Sequence, residues 1–156
     1  LFRLNARQAR LEVVVVDRVP EAERKWVGFP GHLSQVILNF LTNAERYAYP
    51  DGGGGKVEVE VGVLDGKFSL AVRDFGRGIP AADRAKIFEP FFTTGRDKGG
   101  TGLGLAIVRS LVTGPLQGTL ELVSEPGQGC AFLVRVSRTL AETPAADPSS
   151  SSGEPT

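Results

Sequence analysis

Hydrophobic and polar residues alternate strictly from Lys56 to Val63, where every second residue is a valine. The alternation resumes from Phe68 to Val72, after Asp65-Gly66, a dipeptide typical of a tight hairpin turn. A period of two places successive side chains on opposite faces of a sheet. The two segments therefore predict a β-hairpin whose second strand runs directly into Asp74.

Apolar residues recur at spacings of three and four in two other segments. The first runs from Gly31 to Ala48, and the second runs from Gly102 to Val112. This spacing is typical of amphipathic helices, each of which buries one face. Tyr49-Pro50-Asp51 and the glycines after it end the first helix, because proline and glycine disfavour its continuation.

Further strands are predicted on both sides of these helices. Leu11 to Val16 is rich in β-branched residues, and Lys25 to Val27 is a brief second candidate. Gly118 to Ser124 and Gly129 to Ser137 form two more strands, joined by a turn at Pro126-Gly127. The elements predict an α+β fold, a two-layer α/β sandwich in which a mixed, mainly antiparallel sheet has helices on one face.

A long stretch from Gly76 to Thr101 shows neither period and is rich in glycine, proline and charge. A short helix is predicted within it, around Asp83 to Phe88. A loop of this length inside a compact domain is usually functional, often as a lid. Phe88, Phe91 and Phe92 are expected to pack on the body of the protein or on a partner, because large apolar side chains clustered in a loop seldom face water.

Composition narrows the classes of function. The chain has 156 residues, enough for one domain with a real core. Lys plus Arg and Asp plus Glu both number 18, so no net positive field recruits nucleic acid or an anionic membrane. The single cysteine, Cys130, excludes an intrachain disulfide and a cysteine-rich metal site. No apolar run approaches membrane-spanning length, and a reducing, cytoplasmic setting is expected.

One ordered domain is expected over residues 1–138. Residues 139–156 are mainly Ala, Pro, Ser and Glu, with almost nothing to bury, so a disordered tail is predicted there. The chain starts with Leu1 rather than Met, and no signal peptide is visible. We therefore expect it to be a piece of a longer protein.

Two asparagines on the first predicted helix are candidates for ligand binding. Asn39 and Asn43 are four residues apart and therefore point the same way, with Arg46 and Tyr47 near that face. An amide oxygen suits Mg²⁺, which prefers oxygen ligands, and a guanidinium can donate to phosphate. The alternative is a polar helix face whose asparagines only hydrogen-bond within the protein.

Asp74 ends a predicted strand and precedes Gly76, Gly78 and Ile79. A buried carboxylate can accept a hydrogen bond from the exocyclic amine of adenine, which guanine does not offer at the same place. The two glycines let backbone approach a flat base, and Ile79 could supply apolar contact. The alternative is a turn that only closes a hairpin.

A glycine-rich run from Gly99 to Leu105 opens the second helix. The N-terminus of a helix presents free N–H groups and partial positive charge, so it can hold phosphate without a basic side chain. Gly102 and Gly104 lack the Cβ atoms that would block this approach. The run is not a P-loop, because Gly-Lys-Ser/Thr is missing, and no strand precedes it directly as a dinucleotide fingerprint requires.

Taken in order, four segments resemble the catalytic, ATP-binding domain of sensor histidine kinases, which share an ATPase group with DNA gyrase B and MutL. The segments are NFLTNAERY from Asn39, DFGRGIP from Asp74, IFEPFFTT from Ile87 and GGTGLGL from Gly99. They match the family's N box, Asp-x-Gly-x-Gly box, Phe box and final glycine box. The resemblance covers roughly Leu11 to Ser137. It implies a mixed sheet of about five strands backed by three helices, with a long ATP lid.

The resemblance implies a role for each matched residue. Asn43 coordinates Mg²⁺ with support from Asn39, and Arg46 contacts phosphate; these are the implied catalytic residues. Asp74 reads adenine, and the backbone amides after Thr101 hold the phosphates. The implied nucleotide-binding residues are Tyr47, Asp74, Gly76, Gly78, Ile79, Phe92, Thr101, Gly102, Leu103, Gly104 and Leu105.

The reaction implied is transfer of the γ-phosphoryl group of ATP to a histidine. Gyrase-like ATPases place a water-activating glutamate four residues before the metal-binding asparagine. Here that residue is Asn39, which is not a base at neutral pH, so little hydrolysis is expected. The only histidine, His32, is followed by Leu33 rather than an acidic residue and does not match the phosphoacceptor motif.

The partners expected from the resemblance are ATP, a histidine-bearing dimerisation domain outside this chain, and a downstream response regulator. No nucleic acid partner and no direct membrane contact are expected for this segment, although the parent protein could be membrane-anchored. Two alternatives stay open. One is a related serine kinase of the anti-sigma factor or mitochondrial dehydrogenase kinase type. The other is a module that binds nucleotide only to order its lid and recruit a partner.

Overall fold

The computed structural model of the chain describes residues 11–49, 54–93 and 102–137. Five strands form one sheet in the spatial order β1-β2-β3-β5-β4. β1 runs parallel to β2, and all other neighbours are antiparallel, so the predicted mixed sheet is confirmed. The strands are β1 Leu11–Asp17, β2 Gly55–Leu64, β3 Lys67–Asp74, β4 Thr119–Ser124 and β5 Cys130–Ser137.

The helices pack on one face of this sheet. α1 spans Pro30–Asn43, a π-helical turn spans Ala44–Ala48, and α2 spans Gly104–Thr113. A single 3₁₀ turn occupies Glu21–Glu23. The described ranges therefore contain two α-helices, and the predicted three are reached only when the π-helical turn is counted separately. The α+β class and the sandwich architecture are confirmed.

The core lies between the helices and one face of the sheet. Val57 and Val59, from the alternating pattern of β2, are buried there. Phe40 of α1 stacks on Phe132 of β5 with ring centroids 4.6 Å apart. Burying a large apolar side chain contributes about 1.5–3 kcal/mol, so these contacts fix α1 over the central strands. The predicted hairpin turn at Asp65-Gly66 is also confirmed, with φ of 52° and 74° in the left-handed region.

Three predicted elements differ in the structure. Lys25 to Val27 is not a strand, because only Val27 makes an isolated bridge. Residues 81–88 form successive turns rather than a short helix, and they contain one helix-like bond from the Ile87 N–H to the Asp83 carbonyl, 3.0 Å long. The second helix begins at Gly104, because Leu103 occupies its N-cap position. The predicted tail over residues 139–156 lies outside the described residues.

Candidate functional site

A cavity of about 680 Å³ opens where α1, the loop after β3 and the N-terminus of α2 meet. Its walls come from four separate parts of the chain, the fourth being the β4–β5 turn, and the fold brings them together. Its lining consists of Asn39, Thr42, Asn43, Arg46, Tyr47, Arg77, Gly78, Ile79, Pro80, Asp83, Ile87, Phe92, Thr93, Gly102, Leu103, Gly104, Leu105, Ile107 and Pro126.

Both asparagines of α1 line this cavity, as their spacing predicts. They differ in their surroundings. The Asn39 side chain accepts a hydrogen bond from Gln35 Nε2 at 2.8 Å and donates through Nδ2 to the Gly104 carbonyl at 3.1 Å. Asn39 therefore connects α1 to the first residue of α2. Asn43 lies one turn further along the same face and also lines the cavity.

The π-helical turn brings Arg46 and Tyr47 to the cavity. A π-turn inserts an extra residue into the helical register, and such turns are frequent at functional sites. The Tyr47 hydroxyl lies 2.5 Å from the Thr93 hydroxyl, so it connects this turn to the end of the Phe box. Arg46 provides a permanently charged donor on the same wall.

Asp74 is the last residue of β3, at the centre of the sheet between Val57 and Cys130. Its side chain is only 8% exposed. Burial raises the pKa of this carboxyl group above its ordinary value of 3.8, while hydrogen bonds from the backbone of Gly76 and Cys130 act in the opposite direction. The Gly76 N–H donates to Asp74 Oδ1 at 3.1 Å. Asp74 is thus a buried carboxylate held in place by backbone donors.

The two glycines of the Asp-x-Gly-x-Gly box lie at close backbone contacts. A Cβ at Gly76 would collide with the carbonyl of Ala48, at the end of the π-helical turn. A Cβ at Gly78 would collide with the carbonyl of Glu125, and its φ of +73° is a second reason for glycine. The loop after β3 is therefore pressed between the end of the helix and the β4–β5 turn.

Ser124, at the end of β4, binds the same loop from the other side. Its hydroxyl accepts the Ile79 N–H at 2.8 Å and donates to the Gly129 carbonyl at 3.0 Å. Ser124 is buried, with 4% exposure; its bond to Gly129 is buried and its bond to Ile79 is partly buried. The Gly127 N–H adds a bond to the Arg77 carbonyl at 2.9 Å. Sequence reasoning missed Ser124, because nothing in the local pattern connects it to a loop 45 residues away.

Cys130 lies beside Asp74 in the sheet and is buried. Burial, and then the negative charge of Asp74, raises the pKa of its thiol to about 12. A thiol is nucleophilic only as the thiolate. Cys130 is therefore protonated and unreactive in the folded protein at neutral pH.

The Phe box and the glycine box are joined through their backbones. The Phe91 N–H donates to the Gly102 carbonyl at 2.8 Å, and a Cβ on Gly102 (φ +73°) would collide with the Phe91 backbone. Phe88 and Phe92 pack against the core, as predicted. Phe91 does not, because its side chain is 63% exposed and its φ is +66°. Gly104, which opens α2, has open space where a Cβ would stand.

Most of the predicted site residues line one cavity, and two do not. Asn39, Asn43, Arg46, Tyr47, Gly78, Ile79, Phe92, Gly102, Leu103, Gly104 and Leu105 are part of its wall. Asp74 and Gly76 are absent from the lining, although Gly78 and Ile79 of the same loop belong to it. Thr101 lies outside the described residues.

The cavity also has walls that sequence reasoning did not predict. Arg77 lies inside the Asp-x-Gly-x-Gly box, so that motif contained a signal for it. Thr42 lies between the two asparagines but at a different angle around the helix. Pro80, Ile87 and Thr93 also lie inside the quoted motif segments, whereas Asp83, Ile107 and Pro126 lie outside all four.

The described residues contain no group of three or more His, Cys, Asp and Glu side chains that could hold a metal ion. Among the helices of residues 11–49, 54–93 and 102–137, none has the length and apolar character needed to cross a membrane.

The family of the chain is shown by comparison with known proteins. The family model described as histidine kinase-, DNA gyrase B-, and HSP90-like ATPase matches residues 28–140, most of the chain. The chain belongs to this ATPase family. The relatives below identify it more closely as the ATP-binding catalytic domain of a sensor histidine kinase, and they give no support to the serine-kinase or non-catalytic alternatives.

The sensor histidine kinase RcsC of Escherichia coli K12 is 42% identical over 114 residues, which cover 70% of this chain and 11% of RcsC. The chain thus spans about a tenth of that relative. The catalytic domain of histidine kinase ThkA matches with a TM-score of 0.68 at 27% identity, covering 83% of this chain and 80% of that one. Full-length ShkA in complex with AMPPNP matches at 0.65 and 29% identity, covering 86% of this chain and 27% of ShkA.

Proposed function

We propose that this domain binds ATP with Mg²⁺ and donates the γ-phosphoryl group to a histidine on a separate dimerisation domain. The observation that carries the proposal is the single cavity that joins the asparagine face of α1, the loop after Asp74 and the N-terminus of α2. A nucleotide needs a site for its base and a site for its phosphates, and this cavity has walls suited to each.

The base is recognised at the end of β3. Gly78 and Ile79 offer a flat backbone and an apolar side chain at the cavity wall. The adenine ring lies over this loop, and its exocyclic amine donates to the carboxylate of Asp74. An ionised carboxylate only accepts hydrogen bonds, so a donor that reaches Asp74 stabilises its buried charge and an acceptor does not. Guanine, with a carbonyl oxygen at this position, is rejected.

The phosphates lie at the other end of the cavity. Gly102, Leu103 and Gly104 form the wall at the start of α2, where helix N–H groups point toward an anion. Arg46 faces them from the π-helical turn. Asn43 supplies a neutral amide oxygen to Mg²⁺, an ion that keeps waters and phosphate oxygens among its ligands. When bound, Mg²⁺ offsets the charge of the phosphate oxygens.

Asn39 has a supporting role at this end. Its amide is already bonded to Gln35 and to the Gly104 carbonyl, so it holds α2 against α1 and orients the phosphate-binding backbone. A carboxamide does not take up a proton at neutral pH and cannot activate water as a glutamate would. Bound ATP therefore persists until a histidine nucleophile reaches its γ-phosphate.

The partners follow from this reaction. The proposed acceptor is the histidine of a dimerisation domain in the same protein, which then passes the phosphoryl group to a response regulator. His32 is the third residue of α1 and packs against Phe29 with ring centroids 5.4 Å apart, which suits a helix-start residue and not an acceptor. The proposed domain occupies residues 1–138, and its proposed location is the cytoplasm.

Calorimetric titration with a non-hydrolysable ATP analogue, with and without Mg²⁺, tests the site. Asp74→Asn is expected to lower the affinity about 10- to 100-fold, because a charge-assisted hydrogen bond is worth about 1.5–3 kcal/mol. Asp65→Asn is the matched control: it makes the same chemical change in an exposed hairpin turn, where asparagine tolerates the φ of 52°. Equal affinities for the two variants would contradict the proposed base site.

Phosphotransfer needs its own experiment. The domain is incubated with radiolabelled ATP and a histidine-bearing dimerisation domain added in trans. Acid-labile label on that domain is the expected result. Acid-stable label would point to a hydroxyl acceptor instead, and nucleotide binding without any transfer would leave the chain as a binding module.

A further inference from the structure

Tyr49 lies just beyond the π-helical turn and outside the cavity wall, yet it touches the segment that positions Asp74. Its hydroxyl donates to the Lys56 carbonyl at 2.6 Å and accepts the Phe75 N–H at 2.8 Å. Its ring covers Gly55, where a Cβ would collide with it. One side chain thus connects the end of the first helix, the start of β2 and the residue directly after Asp74.

The protonation state of the Tyr49 hydroxyl fits these two hydrogen bonds. Burial raises the pKa of Tyr49, a hydrogen bond from the Phe75 backbone lowers it, and the nearby charge of Asp74 raises it again. The phenol is therefore neutral throughout the physiological range. Only a neutral phenol can donate to the Lys56 carbonyl while accepting from the Phe75 N–H.

A second hydrogen bond joins the same two segments, the end of the first helix and the loop after β3. The Arg77 N–H donates to the Ala48 carbonyl at 3.3 Å, and Gly76 permits this close approach because it has no Cβ. The Gly76 N–H in turn donates to Asp74 Oδ1 at 3.1 Å. The carboxylate is thus held by a backbone segment whose two ends are bonded to Tyr49 and Ala48.

We propose that Tyr49 is a positioning residue for base recognition: by holding the Phe75 N–H, its hydroxyl fixes the turn that orients the Asp74 carboxylate toward the exocyclic amine of adenine. The inference rests on the proposed function, because it takes Asp74 as the adenine reader. Tyr49 does not itself touch the nucleotide. It acts between the helix that carries Asn43 and the strand end that carries Asp74.

The test compares two ligands on two variants of the full chain. ATP has the exocyclic amine, and purine riboside triphosphate lacks it, so the ratio of their dissociation constants reports the Asp74 bond alone. Tyr49→Phe removes the hydroxyl and keeps the ring. The expected result is a fall in that ratio of about 3- to 10-fold, the range for one hydrogen bond, caused mainly by weaker ATP binding.

Trp26→Phe is the matched control. It removes one side-chain hydrogen bond, from Trp26 Nε1 to the Ser137 carbonyl at 3.1 Å, far along the sheet from Asp74. Its melting temperature is expected to fall while the ratio stays at the wild-type value. An unchanged ratio in folded Tyr49→Phe would overturn the proposal and leave Tyr49 a purely structural residue.

Three further outcomes are informative. If Tyr49→Phe does not fold, Gly55→Ala serves instead, because its Cβ displaces the ring and the same fall in ratio is expected. If wild-type protein binds ATP but shows no preference for it over the analogue, the base site and this inference fail together. If wild-type protein keeps the preference and both Tyr49→Phe and Gly55→Ala keep it too, only the inference fails.

Discussion

The two ends of the cavity are built differently. At the base end, the loop after Asp74 is bonded to three elements: to the helix end through Tyr49, to β4 through Ser124 and to the β4–β5 turn through Gly127. At the end proposed to bind the phosphates, bonds between neighbouring walls include those from Asn39 to Gly104, from Tyr47 to Thr93 and from Phe91 to Gly102. Among the described residues, the base end is therefore one loop bonded to three elements, whereas each of these bonds at the phosphate end joins one pair of walls.

The difference suits the chemistry proposed for each end. Selection of adenine depends on one hydrogen bond of fixed direction, and a buried carboxylate that could reorient would lose that selectivity. Phosphate recognition relies on several backbone N–H groups and a flexible guanidinium, which tolerate small displacements. The loop that is bonded on three sides is thus the one proposed to recognise a single amine of the base.

The largest expected effect is at the base end. Ser124→Ala leaves the Ile79 N–H and the Gly129 carbonyl without their partner in a buried place. An orphaned buried polar group costs about 1–3 kcal/mol, so the free energy of unfolding in urea should fall by at least that amount. Ser110→Ala, on the exposed side of α2, is the control and should change little. Equal losses in both variants would mean that the hydroxyl of Ser124 does not hold the loop.

A smaller effect is expected at the phosphate end, from a pair of glycines. Gly102→Ala forces a Cβ against the Phe91 backbone at a φ of +73°, which costs about 1–2 kcal/mol and displaces the start of α2. Gly104→Ala meets no protein atom, so it should stabilise the helix slightly, with its Cβ at the wall of the proposed phosphate site. Affinity for the ATP analogue, measured beside the melting temperature, should fall more for Gly102→Ala. A lower melting temperature with unchanged affinity would make Gly102 structural only.

The smallest expected effect is the pH dependence of base recognition at Asp74. The folded-state pKa of Asp74 is raised above 3.8, so the fold disfavours the carboxylate at neutral pH, and this cost is relieved as the pH falls through the raised value. Adenine recognition changes in the opposite sense, because a protonated carboxyl group no longer offers the same acceptor. Lowering the pH should therefore reduce the preference for ATP over purine riboside triphosphate.

Asp74→Asn supplies the comparison for that pH series. The variant cannot titrate at this position, so its ratio of dissociation constants should stay flat across the same pH range. A wild-type ratio as flat as that of the variant would show that Asp74 does not contact the base amine.

Much of the fold could be predicted from local patterns. The alternation from Lys56 to Val63 and the left-handed Asp65-Gly66 turn fixed one hairpin, because both signals lie within a few residues. The asparagine spacing correctly placed Asn39 and Asn43 on one cavity wall. The π-helical turn was not predicted, because its apolar spacing is the same as that of an ordinary helix over so few residues.

The connections within the site were harder to predict. Ser124 and Tyr49 act through contacts distant in sequence, and neither belongs to a recognisable motif. Phe91 was expected to pack on the body or on a partner, and its left-handed φ of +66° accompanies a side chain that does not pack on the body. Motifs therefore located the cavity walls, whereas the side chains that hold those walls together became visible only in three dimensions.

Alkylation of the single cysteine can be used to measure how often the sheet opens beside Asp74. Cys130 pairs with Asp74 across the sheet, and its thiol, with a pKa of about 12, ignores alkylating reagents while the strands stay closed. Labelling of the native protein should therefore report openings of the β3–β5 pairing beside Asp74. The measurement needs no introduced probe, and bound adenine nucleotide should lower the rate at which Cys130 is alkylated.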